Sequence, residues 1–378
     1  MKVVLVCDSV FPENKGGVER WFGFLARELV RSGDEVTYLN AAQVDGVRDG
    51  VKFVSVLDAK WQYQGDGVRS IKQSLRFAIE IGRWLKSNEF DFIYCSQAPI
   101  FPVFTAGVIA KLKRKVLFVE WIEIWRMRYW QKYLGLFAGI IGWLTQFAAL
   151  QFGNLKLCFN GRTMQRAQAL TIFKKSSIES LNGLVDSSIE LPLVSEKNRD
   201  GMLFLGRLVS EKQPILALRV FEALCDQGWR KPFHIVGQGP LLAEMSAAKA
   251  NSKYGTLVHI HSEASDEVVR DLLSQCFLLI HPTRREGYGL VVVEAAQSGV
   301  PTLLIDGADN LATDLAISPS LVCSDASVLG LAEKVRYAFA EQSELRKELA
   351  LWLSANRASR SMRSSVQQIR SYAAELLH

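Results

Sequence analysis

One segment, residues 277–306, constrains the fold of this chain more than any other. It opens with the apolar run Phe277–Ile280, which is typical of a buried strand. A turn and two glycines follow, and the sequence then predicts a helix from near Leu290 that Pro301 stops. The run Thr302–Ile305 predicts the next strand. A strand, loop, helix and strand in this order place the loop at the carboxyl edge of a parallel sheet, where open α/β sheets bind ligands.

The loop between this strand and this helix has the composition of a phosphate-binding site. Gly287 and Gly289 let a ligand approach the backbone closely, and the free amides of a helix start favour a diphosphate. Two carboxylates flank those amides. Their spacing of eight predicts that Glu294 lies about two turns into the helix from Glu286, roughly on the ligand side. The alternative is that Glu286 caps the helix and Glu294 is solvated, but the glycines and the flanking strands favour a binding site.

Length and composition indicate a globular chain that is large enough for two domains. The chain has 378 residues, of which 49% are hydrophobic and 22% are charged. The cysteines form no C-x-x-C pair, so they predict neither a metal site nor a disulfide framework, and they suit a reducing compartment. The start, Met1–Val6, is too short for a signal peptide and predicts a strand.

Charge is distributed unevenly along the chain. Residues 1–190 contain 25 Lys and Arg against 18 Asp and Glu, a net charge of +7, whereas residues 191–378 contain 20 against 21, a net charge of −1. The basic surplus therefore belongs to the first half. It predicts an anionic partner there, which is a lipid headgroup, a phosphate-bearing acceptor or a membrane surface. Nucleic acid is disfavoured, because no recognition motif or basic helix accompanies the charge.

The first half opens as a doubly wound α/β domain does. The sequence predicts a strand over Lys2–Cys7, a helix over Val18–Ser32 and a strand over Glu35–Asn40. The loop before the helix lacks the G-x-G-x-x-G fingerprint of dinucleotide-binding folds, and its Gly16-Gly17 pair alone indicates only a loop. Further strands and helices are predicted over Lys52–Val56, Val68–Ser87, Phe90–Cys95, Val103–Lys111, Val116–Glu120, Lys156–Phe159, Arg162–Leu170 and Ser177–Leu181.

Residues 120–135 are the most distinctive part of the first half, because aromatic side chains alternate with cations there. These side chains are Trp121, Trp125, Tyr129, Trp130 and Tyr133 with Arg126, Arg128 and Lys132. They fit two interpretations equally well: a packed end of the domain, or an acceptor or membrane-interface surface, since amphipathic aromatics beside cations suit lipid headgroups. The following Leu134–Leu155 contains no charged residue. Its polar and glycine residues favour a buried or interfacial helix over a membrane span.

The second half also begins with a strand, a loop and a helix. Arg207 and Lys212 lie on that loop, where two cations can close on one diphosphate from two directions. The alternative is that they are two exposed basic residues. The histidines at 259, 261 and 281 follow different strand ends, which predicts packed or hydrogen-bonded side chains rather than metal ligands. The strands and helices predicted in this half are Gly201–Leu205, Pro214–Gly228, His234–Gly237, Val258–His261, Val328–Ser354 and Ser361–Leu377.

The segment His281–Asp306, with its glutamates eight residues apart, resembles the retaining glycosyltransferases of family 4, which have the GT-B fold. The following GADNLATDL, Gly307–Leu315, is similar to a continuation found in many members. In that family the first glutamate contacts the transferred sugar and the second holds the ribose of the nucleotide. The resemblance implies these roles for Glu286 and Glu294, with the amides of Gly287–Val291 on the diphosphate.

Other segments extend the resemblance over nearly the whole chain. Arg207 and Lys212 match a cation pair of the family, and Gly17 belongs to a glycine pair like the one that lines the cleft facing donor and acceptor. The segment Asn182–Asp186 resembles the one that precedes the interdomain linker, which we place at about 189–199.

Residues 120–135 also resemble a segment in a subset of this family, in which a histidine faces the cleft. Ile122 stands at that position here, and Glu123 follows it. The departure removes the histidine from any step, so Glu123 becomes a candidate contact to the sugar or the acceptor.

The resemblance implies an α/β GT-B fold with two Rossmann-like parallel-sheet domains that face each other across a cleft. Residues 1–190 with a last helix at 361–378 are expected to bind the acceptor, and residues 191–360 the nucleotide sugar. The candidate catalytic residues are Glu286 and Glu123, and the candidate donor-binding residues are Gly17, Arg207, Lys212, Gly287, Tyr288, Gly289, Leu290, Val291 and Glu294.

The implied reaction moves a sugar from a UDP- or GDP-linked donor to a glycan or lipid-linked acceptor, with retention of configuration and no obligatory metal. We expect a cytoplasmic protein that works in the cytoplasm or at the inner face of the membrane, with an anionic membrane surface as a further partner and no nucleic acid. The alternatives are a nucleotide-sugar-binding protein without transferase activity and a GT-B-type epimerase. A phosphorylase is disfavoured, because no motif for a pyridoxal-phosphate lysine is present.

Overall fold

The computed structural model describes residues 1–14, 16–57, 70–172, 178–181 and 199–377. The chain divides into two compact units. Unit 1 comprises residues 1–184 and 359–378, and unit 2 comprises residues 185–358. The boundaries expected from the sequence were 190/191 and 360/361. The segment Asn182–Asp186 and all but the last residue of the expected linker lie outside the described residues.

Unit 1 is built on one mainly parallel sheet of eight strands. Its strands and helices are β1 (Lys2–Val6), α1 (Gly17–Arg31), β2 (Glu35–Asn40), β3 (Gly46–Arg48), β4 (Val51–Ser55), α2 (Ile71–Ser87), β5 (Phe92–Ser96), α3 (Phe101–Lys113), β6 (Val116–Trp121), α4 (Met127–Leu134), α5 (Leu136–Ala149), β7 (Leu155–Cys158), α6 (Gly161–Leu170) and β8 (Ile178–Ser180). The strand order is β3-β4-β2-β1-β5-β6-β7-β8, and only β3 is antiparallel to its neighbour.

Unit 2 is built on an all-parallel sheet of six strands. Its strands and helices are β9 (Gly201–Leu205), α7 (Pro214–Asp226), β10 (Phe233–Val236), α8 (Leu242–Asn251), β11 (Val258–His261), α9 (Asp266–Gln275), β12 (Cys276–His281), α10 (Leu290–Gln297), β13 (Thr302–Ile305), β14 (Val322–Cys323), α11 (Val328–Ala340) and α12 (Gln342–Asn356). The strand order is β11-β10-β9-β12-β13-β14. Apolar side chains from α7 and α11 cover one face of the sheet, which explains why its central strands are apolar throughout.

The chain reverses its direction across the sheet once in each unit, between β1 and β5 in unit 1 and between β9 and β12 in unit 2. At such a switch point the loops that follow the two central strands diverge and leave a crevice outside the carboxyl ends of the strands. In unit 2 those are the loops that carry Lys212 and Glu286. The strand order therefore brings together two candidate residues that are 74 positions apart in the sequence.

The last helix, α13 (Met362–Leu377), belongs to unit 1. Its Arg370 guanidinium lies 3.2 Å from the buried Asp34 carboxylate, and the Gln368 side-chain amide donates to the Ser180 carbonyl at 2.8 Å. Buried Val366 and Ile369 supply its apolar face. The helix is therefore fastened to unit 1 by both polar and apolar contacts.

Most predicted elements are confirmed within two residues, and β2, β9, β11 and β13 are confirmed at both ends. The predicted single helix over 328–354 is wrong, because α11 ends at Ala340 and α12 starts at Gln342. Five elements are absent from the sequence-based predictions: β3, β14, α4, α8 and α9. Of these, α8 buries only Met245, so it lacks the apolar periodicity that identifies a helix.

The uncharged stretch after Leu134 forms one helix of 14 residues, α5. Gly135, with φ of +88°, separates it from α4, and the two helices pack as a hairpin. A Cβ atom on Gly139 would lie 2.3 Å from the Gln131 Cα atom, so the close approach of the helices requires glycine there. Among the described residues no helix is long and apolar enough to cross a membrane.

Candidate active site

The loop after β12 is anchored at its base by two polar side chains. The buried Thr283 hydroxyl lies 2.7 Å from the Arg285 carbonyl and 3.0 Å from the Glu211 carbonyl. The buried Asn310 amide donates to the carbonyls of Thr283 at 3.1 Å and Ile305 at 2.7 Å. These bonds hold the loops after β9, β12 and β13 to one another at the carboxyl edge of the sheet.

The backbone of Glu286 is held from both sides by a neighbouring segment. Its N–H donates to the Asp309 carbonyl at 3.0 Å, and its carbonyl accepts from the Leu311 N–H at 2.9 Å. Residues 286 and 310 therefore form an isolated parallel bridge. The GADNLATDL stretch, noticed in the sequence only as a resemblance, positions the first glutamate physically.

The Glu286 carboxylate is the centre of the candidate site. Its Oε2 atom forms an ion pair with the Lys212 ammonium and lies 3.1 Å from His281 Nε2, while its Oε1 atom accepts from the Gly287 N–H at 3.1 Å. Burial alone would raise the pKa of this carboxyl. The Lys212 charge and the His281 hydrogen bond outweigh burial and hold the Glu286 pKa well below its usual range. The carboxylate is therefore ionised at neutral pH.

His281 is the site residue whose role the sequence did not reveal. It ends β12 and is buried. Burial is the largest influence on its pKa and lowers it, and the Lys212 charge adds to this effect against the pull of Glu286. The imidazole is therefore neutral and donates its Nε2 proton to Glu286. Its Nδ1 atom has no hydrogen-bond partner in the part of the chain that the structure describes. The prediction that the His281 side chain is hydrogen-bonded is confirmed.

Lys212 reaches Glu286 from a tight turn. It ends a 3-10 turn over Ser210–Lys212, and Gln213 then adopts a left-handed conformation with φ of +52° before α7 begins. The other predicted cation, Arg207, behaves differently. Its side chain is exposed and forms no ion pair with any described residue. Of the predicted cation pair, the structure brings only Lys212 into the cluster around Glu286.

Glycines let the loops after β9 and β10 pack backbone against backbone. A Cβ atom on Gly237 would lie 1.9 Å from the Gly206 carbonyl oxygen, and one on Gly239 would lie 2.4 Å from the Leu208 carbonyl oxygen. Both glycines also have φ above +150°, which disfavours other residues. Their contacts fix the course of the segment that leads to Lys212.

The start of α10 has the geometry of an anion site. Gly289 precedes the helix with φ of +94°, and a Cβ atom there would lie 2.7 Å from the Ala312 Cβ atom. Leu290 and Val291 are the first two residues of the helix, so their N–H groups have no acceptor within it. The Gly287 N–H, predicted to face a diphosphate, donates to the Glu286 carboxylate instead. Tyr288 is buried.

The position predicted for Glu294 is wrong by about one turn. α10 begins at Leu290, so Glu294 is its fifth residue and lies just over one turn from the helix start. The eight-residue spacing was misleading because Gly287–Gly289 is not helical. The Glu294 side chain is half-buried. The backbone carbonyl of Glu294 accepts from the Ser298 hydroxyl at 3.0 Å.

The two candidates of unit 1 lie on loops at the carboxyl edge of its sheet. Gly17 is the first residue of α1, after β1, and Glu123 lies in the turn after β6. The turn that carries Glu123 is held by α6, since the Thr163 hydroxyl donates to the Ile122 carbonyl at 3.2 Å and Arg166 to the Ile124 carbonyl at 3.0 Å. Glu123 itself is half-buried.

A buried carboxyl near this edge of unit 1 had no sequence signal beyond its place in an apolar strand. Glu120 is fully buried in β6, and its Oε2 atom accepts from the Tyr94 hydroxyl at 2.9 Å. Burial raises the Glu120 pKa to about 8, against the opposing effect of the hydrogen bond from Tyr94. Glu120 is therefore largely protonated at neutral pH.

Three histidines cluster on β10 and the neighbouring edge strand β11 of unit 2. The His234 ring stacks on His259 and His261, and its Nδ1 atom lies 3.2 Å from His261 Nε2. Burial and the neighbouring imidazoles lower the His234 pKa to about 4. Among the described residues no group of three or more His, Cys, Asp or Glu side chains is arranged to hold a metal ion.

Sequence comparison identifies the part of the chain that carries this site. Residues 189–350, which include Lys212, His281, Glu286 and Glu294, match the family described as Glycosyl transferases group 1. These residues therefore resemble a group 1 glycosyltransferase domain. The two-unit α/β architecture is the GT-B fold, which confirms the fold class expected from the sequence.

A relative of known identity matches a shorter segment of the chain. A segment of 121 residues is 26% identical to the phosphatidylinositol N-acetylglucosaminyltransferase gpi3 subunit of Schizosaccharomyces pombe. The match spans 32% of this chain and about a quarter, 26%, of the length of that relative.

Two solved structures show the same fold along their whole length. WaaG, a glycosyltransferase involved in lipopolysaccharide biosynthesis, has a TM-score of 0.74 at 16% identity, covering 98% of this chain and 99% of that one. HepE of Anabaena, solved with UDP and glucose, has a TM-score of 0.71 at 15% identity, covering 99% of each chain. Identities this low establish the fold alone.

Proposed function

We propose that this chain is a retaining family 4 glycosyltransferase that moves a sugar from a nucleotide diphosphate sugar to a glycan or lipid-linked acceptor. One observation carries the proposal. Within the group 1 domain, at the switch point of a parallel sheet, an ionised carboxylate is held between a lysine and a neutral histidine beside a helix start. That edge offers cationic and N–H groups for a diphosphate and a fixed carboxylate for a sugar.

Lys212 and the α10 start are the groups that stabilise the departing diphosphate. As the bond between the anomeric carbon and the diphosphate oxygen breaks, negative charge grows on that oxygen, and a nearby ammonium and free N–H groups stabilise it. Lys212 is paired with Glu286 before the donor binds. A diphosphate therefore competes with Glu286 for this ammonium. Arg207, which forms no ion pair with any described residue, joins Lys212 on the bound phosphates.

Glu286 orients the transferred sugar in this proposal, and Glu294 holds the ribose. The acceptor oxygen forms the new bond to the anomeric carbon on the face that the diphosphate leaves, and the acceptor proton is released. When Lys212 moves to the diphosphate, Glu286 keeps the hydrogen bond from His281 and gains a free lone pair for a sugar hydroxyl. Gly17 and Glu123 of unit 1 are proposed to face the sugar or the acceptor.

A lipid-linked or glycan acceptor at an anionic membrane surface agrees with two features. Residues 1–190 carry the whole basic surplus of the chain. The names of two similar proteins refer to phosphatidylinositol and to lipopolysaccharide biosynthesis. We place the protein in the cytoplasm or at the inner face of the membrane, and UDP, which occurs in the HepE structure, is the first nucleotide to test.

The test is incubation with a panel of UDP- and GDP-linked sugars, scored by release of the nucleoside diphosphate. We expect one donor to be turned over, and the Glu286→Gln variant to lose that release. If every donor binds and none is turned over, the chain is a nucleotide-sugar-binding protein, the alternative that Ile122 suggests. Interconversion of the sugar without release of the nucleotide would identify an epimerase.

Metal removal gives a further prediction. Since Lys212, Arg207 and the helix-start N–H groups are proposed to neutralise the diphosphate, activity should be the same within about twofold with EDTA and with added Mg²⁺. A complete loss in EDTA that Mg²⁺ or Mn²⁺ restores would show that a metal carries the leaving-group chemistry.

A further inference from the structure

Helices α2, α3 and α5 of unit 1 leave apolar side chains uncovered along a shared groove. Leu75 and Ile79 of α2 and Ile141 and Leu144 of α5 line it, with phenylalanines of α3 at its base. The groove is open and has a volume of about 580 Å³. Phe137, one turn before Ile141, extends the same stripe of α5 and is 79% exposed. We call these five exposed side chains the apolar face.

The apolar face is not needed to hold α5 in place, because the opposite side of that helix does so. The Gln146 side chain accepts from the Trp125 N–H and donates to the Trp125 carbonyl, both at 2.9 Å. Gly139 and Gly142 let α4 approach within contact of the α5 backbone. These contacts use the inner side of the helix. Its outer side, which is apolar apart from Thr145, is left uncovered by the described residues. Monomeric proteins rarely expose such contiguous apolar surface without a partner.

The helices around the apolar face carry almost only positive charge. α2, α3 and α5 together contain six Lys and Arg side chains and one carboxylate, Glu80, which is paired with Arg83. Lys72 and Arg76 are exposed next to Leu75 on α2. The cations are Lys72, Arg76, Arg83, Lys86, Lys111 and Lys113.

We infer that the apolar face docks on an anionic phospholipid bilayer, with its side chains among the acyl chains and the surrounding cations on the lipid headgroups. An apolar centre with a cationic rim is the composition that interfacial helices use at such surfaces. A second copy of this chain would place the same cations opposite one another, so like charges disfavour a symmetric dimer there. The inference deepens the membrane-surface part of the proposed function and rests on it.

The experiment is co-sedimentation of the full chain with vesicles of phosphatidylglycerol and phosphatidylcholine. We expect binding at low salt that weakens as salt shortens the Debye length from about 10 Å at 0.1 M toward about 3 Å at 1 M. The double variant Phe137→Ser/Ile141→Ser should bind at least about tenfold more weakly. Its matched control is Leu329→Ser/Leu351→Ser, which replaces two equally exposed side chains of unit 2 and should bind like the unaltered chain.

A second pair of variants separates the cationic rim from net charge. Lys72→Glu/Arg76→Glu should reduce binding and flatten its salt dependence. Arg336→Glu/Lys347→Glu changes the net charge equally on exposed positions of unit 2 and should reduce binding much less. Equal losses in both charge variants would mean that net charge rather than this face drives binding, and would overturn the inference.

Donor turnover without vesicles keeps the two proposals separate. Release of nucleoside diphosphate with no binding to any vesicle would overturn the docking inference and leave the transferase intact. Vesicle binding at the apolar face without turnover of any donor would support the docking inference and contradict the proposed transferase activity. If Phe137→Ser/Ile141→Ser instead converts a dimer to a monomer in sedimentation velocity, the occupant is a second copy of the chain and the bilayer assignment is wrong.

Discussion

Two glutamates near the carboxyl edges of the two sheets differ in protonation state: one is ionised and the other is protonated. Glu286 in unit 2 lies against Lys212 and His281, and its pKa is held well below the usual range. Glu120 in unit 1 has a tyrosine hydroxyl as its hydrogen-bond donor and no cation beside it among the described residues. Burial raises its pKa to about 8. Both carboxyls are removed from bulk water, so the nearby charge rather than burial decides the difference. An ionised carboxylate can orient a sugar, whereas a protonated one is part of the core.

The largest expected effect comes from neutralising the ionised carboxylate. Glu286→Gln should lower kcat at least about a hundredfold, about 3 kcal/mol of transition-state stabilisation, with little change in donor KM. The reason is that contacts to the reacting sugar strengthen in the transition state, whereas contacts to a ribose do not. Glu294→Gln is the matched variant and should mainly raise donor KM. Steady-state kinetics on folded variants measure both.

The opposite pattern would reverse the two roles. If Glu294→Gln abolished kcat while Glu286→Gln left it intact, Glu294 would be the residue at the reacting sugar. Thermal unfolding is the control, because Glu286 is partly buried and paired.

Replacing the protonated Glu120 carboxyl by an amide should change the stability of the protein and the pH dependence of that stability. The folded pKa of Glu120, about 8, exceeds the unfolded value near 4.5, so the folded state binds the additional proton. The stabilising contribution is complete below the unfolded pKa, is lost as pH rises toward about 8, and changes no further above it. Glu120→Gln carries no titrating proton. It should therefore be more stable than the unaltered chain at about pH 9, by an amount on the order of 2 kcal/mol.

Urea unfolding at about pH 5 and about pH 9 measures this difference. Glu244→Gln, on the exposed side of α8, is the control and should leave the pH dependence unchanged. A Glu120→Gln variant that keeps the original pH dependence would show that Glu120 is ionised in the folded chain and that the contrast with Glu286 does not hold.

Removing a cation from the donor side is the next smaller effect. Lys212→Ala should weaken donor binding and cut turnover at least about tenfold, about 1.4 kcal/mol. Arg207→Ala should act in the same direction and less strongly, because only Lys212 also contacts Glu286. Donor titration and steady-state kinetics on both variants test this order. Unchanged kinetics in both would remove the diphosphate assignment from this loop.

Local pattern was enough to predict the elements around the site. The apolar run of β12, the glycines, the start of α10 and the strand β13 all follow from nearest-neighbour signals. The helix α9 also had such a signal, since Ser265 caps it by accepting from the Val268 N–H and two acids follow in the first turn. The local sequence was therefore sufficient to predict α9.

The contacts within the site could not be predicted in the same way. That Lys212 meets Glu286 depends on β9 and β12 being neighbours in the sheet, a pairing between residues far apart in the sequence. The hydrogen bond between His281 and Glu286 depends on the path of the loop between them. The turn count to Glu294 failed for the same reason, since periodicity applies only where the backbone is helical. The groove along the apolar face likewise depends on three helices from separate parts of the chain.

The smallest expected effect concerns His281, which acts through Glu286 and is therefore a positioning residue. Its Nε2–H is one of two contacts on the Glu286 Oε2 atom, and it is the one that remains if Lys212 moves to the diphosphate. His281→Leu should therefore lower kcat about fivefold, about 1 kcal/mol, which is the net value of one hydrogen bond, with donor KM nearly unchanged. His281→Gln places an amide N–H near the same atom and should restore most of the rate.

A loss of packing alone would affect both variants alike and would lower the unfolding midpoint in parallel with kcat. Equal rates in the two variants, with either outcome for stability, would contradict a role for the hydrogen bond. A recovery in the glutamine variant that exceeds its recovery of stability would show that the neutral imidazole orients the ionised carboxylate.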